Sequence, residues 1–339
     1  MNALIVIPCL NEEKNIERLV QQFLNNNKDY AVRIVVVDGG SSDNTKKIIN
    51  VLAKKHSNVL YLHNQKRLQS VAVNRAVEKF AEDAEFIIRV DAHAVYPNDY
   101  CKTLIEEAIS TNADSVVVSM ETRGITNFQK KVAAASNSKL GNGGSAHRSA
   151  GVKGHWVEHG HHALMRIDAF KKVGGYDESF SHNEDAELDM RLQQAGCKIW
   201  LTDRTYIIYH PRTSASALFK QYINYGRGRV RTLLKHRKLP RLRQILPVAV
   251  APAVVLTFIA ILFSSALLAA PLFLWAVLCI SYGVMIAIKL DYISLLPVGL
   301  VAMIMHMAWS LGFWHGLIKG TIPILKRYTS SALSPDLNR

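Results

Sequence analysis

The chain has 339 residues, enough for two ordinary domains, and a formal net charge of +14. Its four cysteines, Cys9, Cys101, Cys197 and Cys279, lie far apart with no CxxC pair. That excludes a disulfide framework and a zinc knuckle and fits a reducing compartment. Charge and hydropathy are unevenly placed: ten Lys or Arg and no Asp or Glu fall between Arg212 and Arg243, whereas 245–318 carries only Lys289 and Asp291. The first part reads as a soluble domain and the last as membrane. The apolar run Ala3-Leu4-Ile5-Val6-Ile7 is too short for a signal peptide, lacks a basic leader, and reads as a first strand.

That strand is stopped by Pro8, and Asn11 is expected to cap a helix with Glu12 and Glu13 in its first turn and Leu19, Val20, Phe23 and Leu24 as its apolar stripe. Further strands are expected at 32–37, 58–63, 85–90 and 115–120, with helices at 70–81 and 99–110. Strands alternating with helices of this length predict an α/β domain with a mainly parallel sheet. After Glu121 the rhythm changes. A helix is expected over 128–140, then a mobile Gly/Ser-rich loop over 141–154 with His147, Arg148 and Lys153, then an extended stretch to Arg166 carrying four His. Gly174-Gly175-Tyr176-Asp177 reads as a turn, 184–195 as a helix closed by Gly196, 198–210 as strand, and 218–238 as a strongly basic helix. Three apolar spans follow near 245–263, 266–288 and 292–317, each close to the roughly 20 residues a bilayer requires. Three spans put the chain ends on opposite sides of a membrane. The positive-inside rule would instead place Lys319, Lys326 and Arg327 on the same side as the basic helix. A re-entrant or interfacial segment would remove this conflict.

Several constellations carry chemistry, each with a plainer alternative. In Ile87-Ile88-Arg89-Val90-Asp91-Ala92-His93 an apolar run ends in Asp91, with His93 two residues on. At the carboxyl end of a buried strand this pair forms a two-point clamp for Mg²⁺ or Mn²⁺; the alternative is a helix-capping Asp beside an exposed His. Asp38, at the end of the second strand, can accept from a ribose hydroxyl or a base N–H, or merely order the turn with Gly39 and Gly40. Glu184-Asp185 reads as a general base with its neighbour, or as first-turn charges of a helix. Trp156 with His155, His159, His161 and His162 suits the lining of a substrate cleft, since neither a Cys nor an HExxH pattern supports zinc. The arginines of Tyr225-Gly226-Arg227-Gly228-Arg229 suit a diphosphate or anionic headgroups, and the adjoining membrane segment argues against nucleic acid. His306, Trp309, Trp314 and His315 fall in the last span, as functional polar groups or as an aromatic belt.

Taken together, these residues resemble a family 2 glycosyltransferase of the GT-A fold over about residues 3–235. Ile7-Pro8-Cys9-Leu10-Asn11-Glu12-Glu13 resembles the family's opening motif, and Val36-Val37-Asp38-Gly39-Gly40-Ser41-Ser42-Asp43-Asn44-Thr45 its nucleotide motif. Asp91-Ala92-His93 lies where the family has its DXD metal motif. Gly174-Gly175-Tyr176-Asp177-Glu178 followed by Glu184-Asp185 resembles the acceptor-side turn and the base. Gly39 stands where the family has a second Asp, and His93 where DXD has its last Asp. Gln221-Tyr222-Ile223-Asn224-Tyr225 departs from the QxxRW motif of processive synthases, which implies one sugar per encounter. Arg89-Val90-Asp91-Ala92-His93, His159-Gly160-His161-His162-Ala163-Leu164-Met165 and the Tyr225–Arg229 motif are most similar to succinoglycan-type exopolysaccharide glycosyltransferases, which extend a sugar on undecaprenyl diphosphate.

The resemblance implies a GT-A, Rossmann-like catalytic domain over 1–211, a basic interfacial helix over 212–243, a membrane region of about three spans over 244–318 and a polar tail over 319–339. It implies an inverting hexosyltransferase at the inner membrane, multi-pass, with its catalytic domain in the cytoplasm. The donor would be a UDP-sugar, with glucose as the hexose, and the acceptor a lipid-linked saccharide. Membrane lipid and other polysaccharide-assembly proteins would be further partners. Pro8, Asn11, Glu13, Asp38, Arg67, Asp91, Arg227 and Arg229 would hold the nucleotide-sugar. Asp91 and His93 would hold Mn²⁺ or Mg²⁺, Asp185 with Glu184 would activate the acceptor, and Trp156, His161, His162 and Tyr176 would line its cleft. The alternatives are a polyprenyl-phosphate sugar synthase and a non-catalytic nucleotide-binding membrane scaffold.

Overall fold

The computed structural model describes residues 2–26, 30–144, 153–263 and 266–332. His147 and Arg148 of the expected mobile loop lie outside the described residues. The chain forms two compact units, Met1–Arg123 with Gly144–His210, and Gly124–Gly143 with Pro211–Arg339.

The first unit is built on eight strands: β1 (Asn2–Cys9), β2 (Ala31–Asp38), β3 (Val59–His63), β4 (Phe86–Arg89), β5 (Ser115–Thr122), β6 (His155–Trp156), β7 (His161–Arg166) and β8 (Ile199–Tyr209). Their order is β3-β2-β1-β4-β7-β5-β8-β6. The sheet is mixed: β7 runs antiparallel to both β4 and β5, and β6 antiparallel to β8. β1 is buried on both faces, so its sequence is a continuous apolar run. Alternation sends Ala3, Ile5 and Ile7 to the face covered by α1 (Ile16–Asn26), α2 (Thr45–Lys55) and α4 (Tyr100–Ser110). Leu4 and Val6 face the other layer, with α3 (Gln69–Phe80), α7 (Ile167–Lys172) and α8 (Glu184–Gln194). The strand order reverses between β1 and β4, which opens a crevice at their carboxyl ends. The interior placement of β7 brings His161 and His162 to that same edge, beyond the Ile88↔Leu164 pairing.

One local expectation is corrected. Asn11 does not cap a helix: it sits at φ 57°, and α1 begins at Ile16. Its carboxamide oxygen accepts from Ser42 N at 2.8 Å, a partner supplied by the next strand's loop.

The second unit is helical. α5 (Asn127–Ser136) opens with a capping box between Thr126 and Gln129 and is followed by the single turn α6 (Lys139–Asn142). These two pieces interrupt the sheet domain in sequence. They pack with α9 (Ala215–Lys235), α12 (Ala266–Lys289) and α13 (Val298–Ala332) through Val132, Ala135, Leu218, Ile286, Val298 and Met305. Glycines set the close approaches. A Cβ on Gly226 would overlap the Trp309 carbonyl oxygen, and one on Gly312 the Ile223 carbonyl oxygen. Gly312, Gly316 and Gly320 recur every fourth residue along the side of α13 that meets α9. α9 is therefore packed into the helical unit by one side.

The expected first span is two pieces, α10 (Leu242–Val248) and α11 (Val250–Leu262). Pro252 has no N–H to offer the Val248 carbonyl, four residues back. That carbonyl accepts instead from Ser310 Oγ at 2.8 Å and Trp314 Nε1 at 2.9 Å, while Ala251 N donates to Ser310 Oγ. Trp314 is thus an internal hydrogen-bond donor. His306 has both ring nitrogens engaged, with Nε2 2.7 Å from the Leu140 carbonyl and Trp275 Nε1 donating to Nδ1. Among the described helices, Leu267–Lys289 and Ile293–Gly320 are long and apolar enough to cross a membrane, and Val250–Leu262 is shorter.

Candidate active site

The loops after β1 and β2 are stitched together on one side of the crevice. Pro8 and Cys9 end β1, in register with Val37 and Asp38. Asp38 is 1% exposed; its Oδ1 accepts from Ser41 N at 3.0 Å and from Ser41 Oγ, and Tyr61 Oη lies 3.4 Å from Oδ2. Glu13 Oε2 accepts from both Asn44 N and Asn44 Nδ2 at 3.0 Å. Gly40 has φ 82°, a left-handed conformation that a side chain would strain, and the Arg67 guanidinium lies over it. Arg67 is itself left-handed at φ 55°. A non-glycine residue in this conformation is uncommon and is held here by its surroundings.

A cluster of charged groups meets at the carboxyl end of β4. Arg89, 4% exposed, grips both oxygens of Asp185: Nη1 donates to Oδ1, and Nη2 to Oδ2 at 3.1 Å. Arg89 Nε lies 3.9 Å from Asp91 Oδ1, and Gln69 Nε2 donates to the same oxygen at 3.0 Å. Behind Asp185 lies the buried His162, with Nδ1 2.7 Å from Tyr176 Oη and 3.5 Å from Asp185 Oδ1. His162 Nε2 faces Asp189 Oδ1 at 2.7 Å, and His159 Nδ1 faces Asp189 Oδ2 at 2.6 Å. Asp185 and Asp189 share a face of α8 because they are four residues apart.

The charges follow from this enclosure. Burial pushes the Asp185 carboxyl up, but the Arg89 guanidinium, then His162 and His161, override it and hold the group well below the usual carboxylate range. Glu184 is pushed up to about 7 by burial and by the Asp185 charge. His161 falls to about 4 through burial and the Arg89 charge, which leaves a neutral imidazole.

Asp91 and Asp185 are brought together around Arg89, whereas several other expected residues are placed differently. His93 Nδ1 faces Glu12 Oε1 at 3.3 Å, whereas His161 Nε2 is the imidazole nitrogen facing Asp91 Oδ2, at 3.6 Å. Among the described residues no three His, Cys, Asp or Glu converge as a metal-binding group. Asp91 and a neutral His161 fit a cation completed by phosphate oxygens and water, and do not form a self-contained cage. His162 and Tyr176 are buried behind Asp185 rather than lining an open cleft. Trp156, 48% exposed, lies on the edge strand β6, edge-on to Trp200, with β7, β5 and β8 between it and β4. Arg227 and Arg229 belong to the helical unit. Arg89, Gln69, Asp189 and Glu12 carry contacts that the expected site left out. Arg89 gave the clearest signal, as a charged residue inside an otherwise apolar strand pattern.

The mixed α/β sheet, with Asp91 at its strand-order reversal, agrees with the GT-A fold that the sequence motifs resemble. The family model for glycosyl transferase family 2 matches residues 4–174. The chain is 53% identical over 319 residues to the succinoglycan biosynthesis protein ExoA of Rhizobium meliloti (strain 1021), covering 94% of this chain and 95% of that one. It is 25% identical to the dolichyl N-acetyl-alpha-D-glucosaminyl phosphate 3-beta-D-2,3-diacetamido-2,3-dideoxy-beta-D-glucuronosyltransferase of Methanococcus voltae, covering 93% and 97%. The structure of a mannosyltransferase from Pyrobaculum calidifontis, in complex with GDP-Man and Mn²⁺, superposes with a TM-score of 0.60 at 16% identity, over 93% of this chain and 86% of that one, and shows the shared fold. The chain belongs to glycosyl transferase family 2 and is a glycosyltransferase.

Proposed function

We propose that this glycosyltransferase moves a hexose, glucose, with inversion from a UDP-sugar to a saccharide carried on undecaprenyl diphosphate, in exopolysaccharide assembly. The observation that carries the reading is the placement of Asp91 and Asp185 on either side of one buried guanidinium at the crevice. The near full-length identity to a succinoglycan biosynthesis protein supports the pathway class.

Pro8, Asn11, Glu13, Asp38 and Arg67 form the nucleoside end of the donor site, and Asp91 faces the diphosphate. A divalent cation, Mn²⁺ or Mg²⁺, on Asp91 and an adjacent imidazole would neutralise charge gathering on the departing UDP. The acceptor oxygen attacks the anomeric carbon from the far side, and the bond to the UDP oxygen breaks with its electron pair leaving on UDP. The hydroxyl proton passes to Asp185. An oxygen already bonding to the anomeric carbon is acidic, so a carboxylate of low proton affinity suffices. An α-linked donor gives a β-linked product. Arg227 and Arg229 supply cations for phosphate on the lipid-linked acceptor.

The chain is proposed to sit in the inner membrane with its sheet unit in the cytoplasm and with α12 and α13 spanning. Two spans return the tail to the side of the basic α9, as the positive-inside rule asks. α11, thirteen residues long, reaches about 20 Å, short of the roughly 30 Å hydrocarbon core.

The test is a panel of UDP-sugars offered with lipid-linked acceptors, followed by linkage analysis of the product. UDP-glucose is expected to give a β-linked extension; turnover with another donor only would overturn the assignment of the sugar. Transfer to a bare lipid phosphate, unimpaired by Asp185→Asn, would indicate a polyprenyl-phosphate sugar synthase instead.

A further inference from the structure

We infer that Arg89 is a positioning residue of the transfer reaction, acting through Asp185. The inference rests on the proposed role of Asp185 as proton acceptor. Arg89 projects from β4 two residues before Asp91 and is almost fully buried. Its two terminal nitrogens meet the two Asp185 oxygens as a planar fork, and Nη1 also donates to Tyr176 Oη at 3.2 Å. A lysine could balance the charge of Asp185 but could not hold the plane of its carboxylate at two points.

The groups around Asp185 make this hold necessary. Glu184 and Asp189 share its helix and Asp91 approaches from β4, all acidic, and burial adds to their effect. Against them stand Arg89, with His162 from β7. Without the guanidinium, a buried carboxyl among acids takes up a proton and no longer accepts one from the acceptor. The fork occupies one side of the carboxylate and leaves outward lone pairs on both oxygens. Arg89 Nε has no hydrogen-bond partner among the described residues and points its charge toward Asp91 at 3.9 Å. One side chain therefore sets the spacing between the donor-side strand and the acceptor-side helix.

The experiment is a kinetic cycle of Arg89→Gln, Asp185→Asn and the double variant, with Arg89→Lys beside it. UDP affinity in the presence of Mn²⁺ is measured for each by titration calorimetry. Arg89→Lys is expected to lower kcat about 10–100-fold, with donor KM and UDP affinity within about two-fold, because the carboxylate loses its orientation rather than its counter-charge. The double variant is expected to be no slower than Asp185→Asn alone, within about three-fold. Losses that multiply in the double variant, or wild-type kcat in Arg89→Lys, overturn the inference. Should Arg89→Gln fail to fold, judged by lost UDP binding, Arg89→Lys takes its place in the cycle. Full activity of Asp185→Asn would instead remove the base assignment itself, an outcome separate from multiplied losses.

Discussion

In the sheet unit, close packing is made by large side chains: Ile5, Ile34, Ile88 and Leu164 fill the space between the strands and α1, α2 and α4. In the helical unit the closest approaches are made where side chains are missing, at Gly226, Gly283, Gly299 and Gly312. With the helical unit in a membrane, as proposed above, the difference follows from the solvent each unit meets. A sheet in water gains by removing apolar surface from it. Helices in lipid gain little from burying one apolar surface against another, so they depend on close backbone contact and on satisfying every polar group. The proposed chemistry sits in the first unit, at strand and helix ends that a stiff core can hold still.

Changes in each unit, read by both UDP binding and transfer, test this division. Asp185→Asn is expected to lower transfer by roughly 10²–10⁴-fold while UDP affinity stays near wild type. A parallel loss of UDP binding would mean that Asp185 serves the donor and not the acceptor. Leu164→Ala, in the sheet core beside His162, should cost about 2–5 kcal/mol of stability, read as a lower melting temperature protected by UDP. Gly312→Leu should separate α9 from α13 at a cost of about 1–3 kcal/mol. It should lower the melting temperature in detergent and leave UDP affinity unchanged. If Gly312→Leu abolished UDP binding, the two units could not be described as separately packed.

The sequence made the sheet unit legible wherever periodicity alone determines structure. The alternation of β-branched runs and amphipathic helices up to Thr122 is local information, and Asp38, Asp91 and Asp185 stand at ends that this pattern locates. What it did not contain was partnership across the sheet. His161 and His162 reach the carboxyl end of β4 only because β7 inserts between β4 and β5, an order that no neighbouring residues specify. For the same reason Trp156, close in sequence to those histidines, ends on the far edge strand. His93 follows Asp91 by two residues, yet its ring is turned to Glu12 from the β1 loop. In the helical unit, hydropathy located the apolar stretches but not the break at Val248, whose carbonyl is satisfied by Ser310 and Trp314 more than sixty residues away. The spacing of Gly312, Gly316 and Gly320 was readable as a close-packing face and is the signal that would have placed α9.

The smallest expected effect separates the units by pH. The Glu184 carboxyl is raised to about 7 by burial and by the Asp185 charge, from an ordinary value of 4.5. Between those two pH values the folded chain holds a proton that the unfolded chain has released. Stability contributed at this position is therefore complete below about 4.5 and falls as pH rises through about 7. Glu184→Gln removes the titrating group, so its melting temperature should decline less than that of wild type between pH 5 and pH 8. Arg89 and Asp185 stay ionised across that range and contribute no slope of their own. Gly312→Leu, altered only in the helical unit, should keep the wild-type slope while melting lower throughout. Equal slopes for Glu184→Gln and wild type would mean that the Glu184 carboxyl releases its proton at an ordinary pH in the folded chain, and that the acidic cluster around Asp185 is better hydrated than its enclosure by β4, β7 and α8 implies.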